Sequence, residues 1–207
     1  MNLFIRFALA TFAVTAFSPA WSQAPAAPAH SASPATSPAT SSATSSATLR
    51  QTIQSFVPVF SGRVDVQALP LSQAIKTVQG TGQRTVYIVT DPDCKYCRKL
   101  EVALSQIKDV TIYRFEYPLT ELHPNAANIA KQIWCAPDRS QAWEVYENQH
   151  LTPANNGLCA NPIDANIALA ARLGIEGTPY IISSNGRMNA GTLSAEGLEK
   201  FIDGTAE

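Results

Sequence analysis

The sequence predicts an α/β domain in which a βαβ unit and a ββα unit are separated by a helical insertion. Three observations predict it. The run Thr85-Val86-Tyr87-Ile88-Val89-Thr90 is short, continuous and apolar, as a buried central strand requires, and leads through a short polar turn into a stretch of helical periodicity. After Pro118, about fifty residues read as helix rather than strand. From Gly177 two extended runs meet at Asn185-Gly186, a dipeptide that favours hairpin turns, and precede a last amphipathic run.

Charge divides the chain of 207 residues before any motif is considered. Among its 15 Lys and Arg and 16 Asp and Glu residues, Arg6 is the only one before Arg50. Residues 1–24 have the shape of a secretory signal peptide: one early cation, an apolar stretch over 7–17 too short to span a bilayer, and small residues that suit cleavage after Ser22 or Ala24. An uncleaved N-terminal anchor is the alternative. Residues 25–48 are almost wholly Ala, Pro, Ser and Thr, cannot offset the entropy of ordering, and are expected to form a disordered tether. Residues 49–207 have ordinary composition and enough length to bury a core. A formal net charge of -1 gives no support for nucleic acid or an anionic membrane as partner.

In order, Leu49 to Phe56 reads as a short helix or arm, and Gly62 to Leu69 alternates like an edge strand. Leu71 to Val78 reads as a short helix closed by Gly80 and Gly82. The buried strand, a helix through about Lys108 and a second strand at Val110 to Tyr117 form a βαβ unit with a right-handed crossover. In the insertion, Asn125 caps a helix carrying Ala126, Ile129, Ala130 and Ile133. A second helix spans Asp138 to Gln149 with Trp143 and Tyr146 inward. A third starts at Asn161-Pro162, buries Ile163, Ile167, Ala170 and Leu173, and stops at Gly174. The hairpin and a helix capped by Ser194, with Leu198, Phe201 and Ile202 inward, complete the chain. This order is that of a thioredoxin-like fold.

The chemistry gathers at the strand-to-helix junction, Asp91-Pro92-Asp93-Cys94-Lys95-Tyr96-Cys97-Arg98-Lys99-Leu100. Asp93 offers an N-cap, Cys94 falls in the first turn, and Tyr96, Leu100, Ala103, Leu104 and Ile107 form the apolar face. A thiol at a helix N-terminus meets unpaired N–H groups and the positive end of the dipole, which lowers its pKa below the free value of ~8.5. Lys95, Arg98 and Lys99 reinforce this, Asp91 and Asp93 oppose it, and the expected net is a lowered value. Cys94 is therefore the candidate nucleophile and Cys97 the thiol that resolves it. The pair alone could also be a passive disulfide or half of a zinc site. A zinc site needs a second close ligand pair, which the widely spaced Cys135 and Cys159 do not supply, so no metal and no cofactor are expected.

Four motifs then come together: the Asp91 to Leu100 stretch, Leu-His-Pro-Asn-Ala at 122–126, Ile-Trp-Cys-Ala at 133–136 and Gly-Thr-Pro at 177–179. In this order they resemble the catalytic domain of the DsbC/DsbG family of periplasmic thiol:disulfide interchange proteins, over about Gly62 to Ile202. The resemblance implies a periplasmic thiol:disulfide oxidoreductase, an isomerase or reductase of protein disulfides, with Cys94 as nucleophile and Cys97 as resolving thiol. It implies that Thr178 and a cis Pro179 face the active site, and that Cys135 and Cys159 form a structural disulfide contributing ~3 kcal/mol. Asp93, Lys95 and Tyr96 are expected to tune the pair, Lys95 standing where well-known members carry Gly or Pro. The implied partners are unfolded or misbridged secreted proteins and a membrane thiol:disulfide electron donor. Leader, tether and lead-in occupy the place of the family's folded dimerisation domain, which leaves a monomer open. A rival reading is a tethered assembly or binding module of a secretion or conjugation apparatus. His123 reads as a turn residue rather than a proton carrier, His30 and His150 as solvated, and Trp134 and Trp143 as core.

Overall fold

Strands β4 (Arg84–Thr90) and β5 (Val110–Glu116) pair in parallel, with Arg84 opposite Val110 and Thr90 opposite Glu116. Helix α1 (Lys95–Leu104) connects them. In this computed structural model residues 59–60 and 62–205 are described; the signal peptide, the tether and the Leu49 to Phe56 lead-in lie outside the described residues. Strand β3 (Ile75–Gln79) lies antiparallel on the free edge of β5. On the other side β6 (Tyr180–Ser183) pairs antiparallel with β4, and β7 (Met188–Ala190) with β6, giving the order β3-β5-β4-β6-β7. Two short strands, β1 (Val59–Phe60) and β2 (Arg63–Val64), form a separate ribbon.

The two-residue periodicity of the central strands sorts the core into layers. Val86, Ile88, Val110 and Ile112 pack with Leu100 and Leu104 of α1 and with Leu198, Phe201 and Ile202 of the C-terminal helix α5 (Ala195–Ile202). Tyr87, Val89, Phe115 and Ile182 face the opposite way, onto Leu169 and Ala170 of α4 (Ile163–Arg172) and its C-cap residue Leu173. The insertion helices α2 (Ala126–Trp134) and α3 (Arg139–Gln149) close a third cluster over Ile75 with Ile129, Ile133, Trp134, Ala142, Trp143 and Tyr146.

Several expectations are corrected. Leu71 to Val78 is not a helix: one 3-10 turn at Leu71–Gln73 leads into β3. Its apolar residues fit both periods, and the open edge of β5, whose peptide groups require partners, selects the strand. Ile75 then points inward while Lys76 and Val78 point out. The Gly62 to Leu69 strand shrinks to Arg63–Val64, followed by a 3-10 turn that Asp65 caps through Gln67 N. Helix α1 ends at Leu104, four residues early, and Tyr96 lies outside while Cys97 takes the inward position. In α4 Ile167 faces solvent and Asn166 is buried, its amide donating to the Gln73 carbonyl at 3.2 Å. Asn161 caps from one residue further out than expected, accepting from Ile163 N at 3.3 Å. Asn125 begins α2 without a side-chain cap.

Cys135 and Cys159 are joined. The bond ties the end of α2 to the loop after α3, a connection repeated by Trp134 Nε1 donating to the Ala160 carbonyl and by two hydrogen bonds in which the side-chain amides of Gln132 and Asn155 each donate to the other's backbone carbonyl. Replacing both cysteines by Ala is expected to lower unfolding stability by about 3 kcal/mol in a urea titration, through the longer reach of the unfolded chain.

Candidate active site

The turn between β4 and α1 is built around Asp91. This carboxylate is fully buried and accepts three hydrogen bonds, from Asp93 N at 2.8 Å, from Leu119 N at 2.7 Å and from His123 Nδ1 at 2.9 Å. Its own N–H points at Cys97 Sγ, 3.5 Å away. The side chain thus folds the Pro92-Asp93 turn and anchors the loop after β5 beside it. Cys94 itself occupies the N-cap position of α1, in extended conformation, and Asp93 does not cap the helix. Asp93 is instead held by the Tyr146 hydroxyl of α3, at 2.5 Å.

Across from the pair, Thr178 and Pro179 are joined by a cis peptide bond, and the Thr178 carbonyl lies 3.6 Å from Cys94 Sγ. The structure thus brings Cys94, Cys97, Thr178 and Pro179 together. Lys95 and Tyr96 sit on the outer side, with Lys95 Nζ 5.0 Å from the Tyr96 ring centre. Cys135 and Cys159 are occupied by their own bond in the insertion.

The two thiols are pushed apart in acidity. Cys94 is pulled down to about 5, first because the Cys97 thiol donates to its thiolate, with the Cys97 and Tyr96 backbone N–H groups adding to this against the opposing effect of burial. Burial, reinforced by that same bond to Cys94, pushes Cys97 up. The expected lowering of Cys94 is present, but its causes are hydrogen bonds at the helix N-terminus and not the ring of cations.

Four groups escaped the sequence reading. His123 is not a simple turn residue: its bond to Asp91 raises its pKa, and the negative charge at Cys94 acts in the same direction. His150, expected to be merely solvated, takes a bond from Arg98 Nη1 at 2.9 Å and packs edge-on against Tyr146. Glu116 is buried next to Thr90 in the sheet register, its carboxyl without a hydrogen bond among the described residues and burial holding its pKa well above the usual range. Glu147 on α3 is similarly buried and unpartnered. The available signal was Arg114 and Glu116 standing in an otherwise apolar strand, where charge is costly without a purpose or partner.

The sequence matches the thioredoxin-like domain family over residues 71–206. A probable thiol:disulfide interchange protein DsbC from Bordetella pertussis is 34% identical over 136 residues, covering 66% of this chain and 48% of the relative. The thiol:disulfide interchange protein DsbC of Escherichia coli K12 is 29% identical over 124 residues, 58% of this chain and 51% of that one. The chain therefore spans about half the length of the curated relatives it matches. A crystal structure of a disulfide interchange protein from Neisseria gonorrhoeae is 36% identical, superposes with a TM-score of 0.63, and covers 67% of this chain and all of its own.

Two measurements check the electrostatics. The ultraviolet absorbance of the Cys94 thiolate in reduced protein should titrate near pH 5, and Cys97→Ala should move that midpoint upward by removing the donor. His123 has a folded-state pKa above its usual 6.5, so its bond stabilises the fold below that value and the contribution fades as pH rises through the raised one. The stability difference between wild type and His123→Ala should therefore shrink on going from mildly acidic to alkaline pH.

Proposed function

The chain belongs to the family of thioredoxin-like domains, and from that premise we propose that it is a periplasmic thiol:disulfide oxidoreductase that isomerises or reduces protein disulfides. The observation that carries this reading is the placement of two free cysteines at the start of α1, Cys94 at the N-cap facing the Thr178 carbonyl and Cys97 buried behind it, an arrangement that favours the thiolate on Cys94 and the thiol on Cys97. Cys94 Sγ attacks a substrate disulfide, forming a mixed disulfide and releasing one substrate sulfur as a thiolate. In isomerisation a different substrate thiolate attacks the mixed disulfide and Cys94 leaves as the thiolate it began as, with no net electron transfer. In reduction Cys97 loses its proton and attacks Cys94 Sγ; the substrate leaves with both electrons, and the Cys94–Cys97 disulfide must be reduced again by a membrane dithiol donor.

Thr178 and Pro179 form the wall against which an extended substrate segment lies, with the Thr178 backbone opposite the sulfur under attack. Asp93 serves through Tyr146 to fix the turn, and Tyr96 contributes its backbone N–H to the thiolate while its exposed ring, with Lys95, meets the substrate. Unfolded or misbridged secreted proteins are the substrates. The leader over residues 1–24 and the disulfide of the insertion support an oxidising compartment outside the cytoplasm.

Cys94→Ala should abolish both the reactivation of scrambled ribonuclease and the reduction of insulin, and Cys97→Ala should accumulate mixed disulfides on Cys94. Full activity of Cys94→Ala, or a pair in the wild type that mild thiols do not reduce, would overturn the reading in favour of a binding or assembly module.

A further inference from the structure

Helix α3 turns Trp143, Tyr146 and Glu147 toward the reactive turn, α1 and β5, at the spacings that share a helix face, and its C-cap residue His150 continues the row. Three of them have a partner across this seam, in the turn before α1, in α1 or in β5. Tyr146 donates to Asp93, His150 accepts from Arg98, and the ring of Trp143 lies 5.9 Å from the Arg114 guanidinium. Glu147 has none among the described residues: the residue is 7% exposed, and both of its carboxyl oxygens are buried without a hydrogen bond there.

The nearby cations are committed elsewhere. Arg114 grips Glu101 with two parallel bonds of 2.7 and 2.8 Å and donates a third to Thr77, while Arg98 is drawn to His150. Glu147 lines a cavity of about 130 Å³ between α1, α3, β3 and β5, together with Arg98, Glu101, Arg114, Trp143 and Thr77. That volume holds several water molecules. Arg98 follows Cys97 directly in α1 and Glu101 lies one turn further on, so the cavity begins where the reactive turn ends.

An unpaired carboxylate and a thiolate at one end of the same buried seam are costly together and tolerable singly. We propose that Glu147 is proton-linked to the reactive pair: it binds a proton when the Cys94–Cys97 disulfide is reduced and releases it through the cavity when the disulfide forms again. The inference rests on the redox cycle proposed above. Reduction by a dithiol breaks the Cys94–Cys97 bond, moves two electrons to it and leaves the donor as a disulfide. Of the donor's two protons, one goes to Cys97 Sγ and the other is divided between Glu147 and solvent, Glu147 taking the share by which its occupancy rises. Cys94 emerges as a thiolate, so part of the negative charge passes from Glu147 to Cys94 on reduction and returns on oxidation.

The charges facing Glu147 are consistent with this. Burial and then the Glu101 carboxylate push it up to about 8, Arg98 and Arg114 pull against them, and the Cys94 thiolate adds a further upward push that disulfide formation removes. Glu144 also lines the cavity from α3, Tyr146 and His150 flank Glu147 on its own helix with Asp93 held by Tyr146, and β3 contributes only Thr77 and Gln79, which do not titrate.

The test is a titration of the Glu147 side-chain carboxyl by nuclear magnetic resonance in the full chain, oxidised and reduced. A higher pKa in the reduced form is expected; the same value in both overturns the inference. In parallel, the equilibrium constant with glutathione is followed against pH. Between the two Glu147 values the wild type should bind up to one more proton per reduction, steepening the dependence by up to tenfold per pH unit, and Glu147→Gln should lose that excess. Equal slopes in the two proteins overturn the inference alone. A pair that never equilibrates with glutathione overturns the redox reading and this inference with it.

Discussion

The buried carboxylate of Asp91 is the constraint on which the site depends. It gathers three donors from three places in the chain: the N–H of the turn it begins, the N–H of Leu119 after β5, and the His123 ring. A buried acceptor with this many partners is satisfied only if all of them arrive together, so the Pro92-Asp93 turn and the Leu119–His123 loop have one joint arrangement. The start of α1 follows from it. Cys97 sits over the Asp91 N–H, Cys94 falls at the N-cap, and the first N–H groups of the helix are left free to meet its sulfur.

A second constraint runs beside the first. Between α1 and α3 the domain buries polar groups, where an apolar contact would have been simpler. Arg114 holds Glu101 and Thr77, and Tyr146 holds Asp93. Such a seam is a poor source of stability, because the charges lose water that their partners only partly replace. It does fix the position of the insertion against the reactive helix, since Tyr146 meets Asp93 in one register of α3 only. The disulfide at Cys135 and Cys159 supports the same element from its far side.

How much of this was legible follows from where the information lies. The β4 strand, the Cys94 junction, the hairpin at Asn185-Gly186 and the Ser194 cap are local signals, and each stands where the residues place it. Thr178 and Pro179 opposite Cys94 came from the family resemblance and not from spacing. Leu71 to Val78 was misread because its apolar pattern serves two periods, and only the waiting edge of β5 decides between them. Asp93 was misread because Ser, Thr, Asn and Asp before a helix usually cap it, whereas here Tyr146, 53 residues away, competes for the carboxylate. His123, Glu116 and Glu147 acquire their character from neighbours distant in sequence: the Asp91 carboxylate for His123, and for the two glutamates a burial that no local pattern announces.

The unequal acidity of the two sulfurs sets a clock as well as a direction. Burial keeps Cys97 as a thiol, so it seldom carries the charge needed to attack its neighbour. In the cycle proposed above, a substrate attached to Cys94 is held for as long as that deprotonation takes. During that wait the tethered chain can change shape and present another of its own thiols. The depth at which the second sulfur is buried thus becomes a residence time, and residence time decides whether a captured chain is rearranged or released reduced.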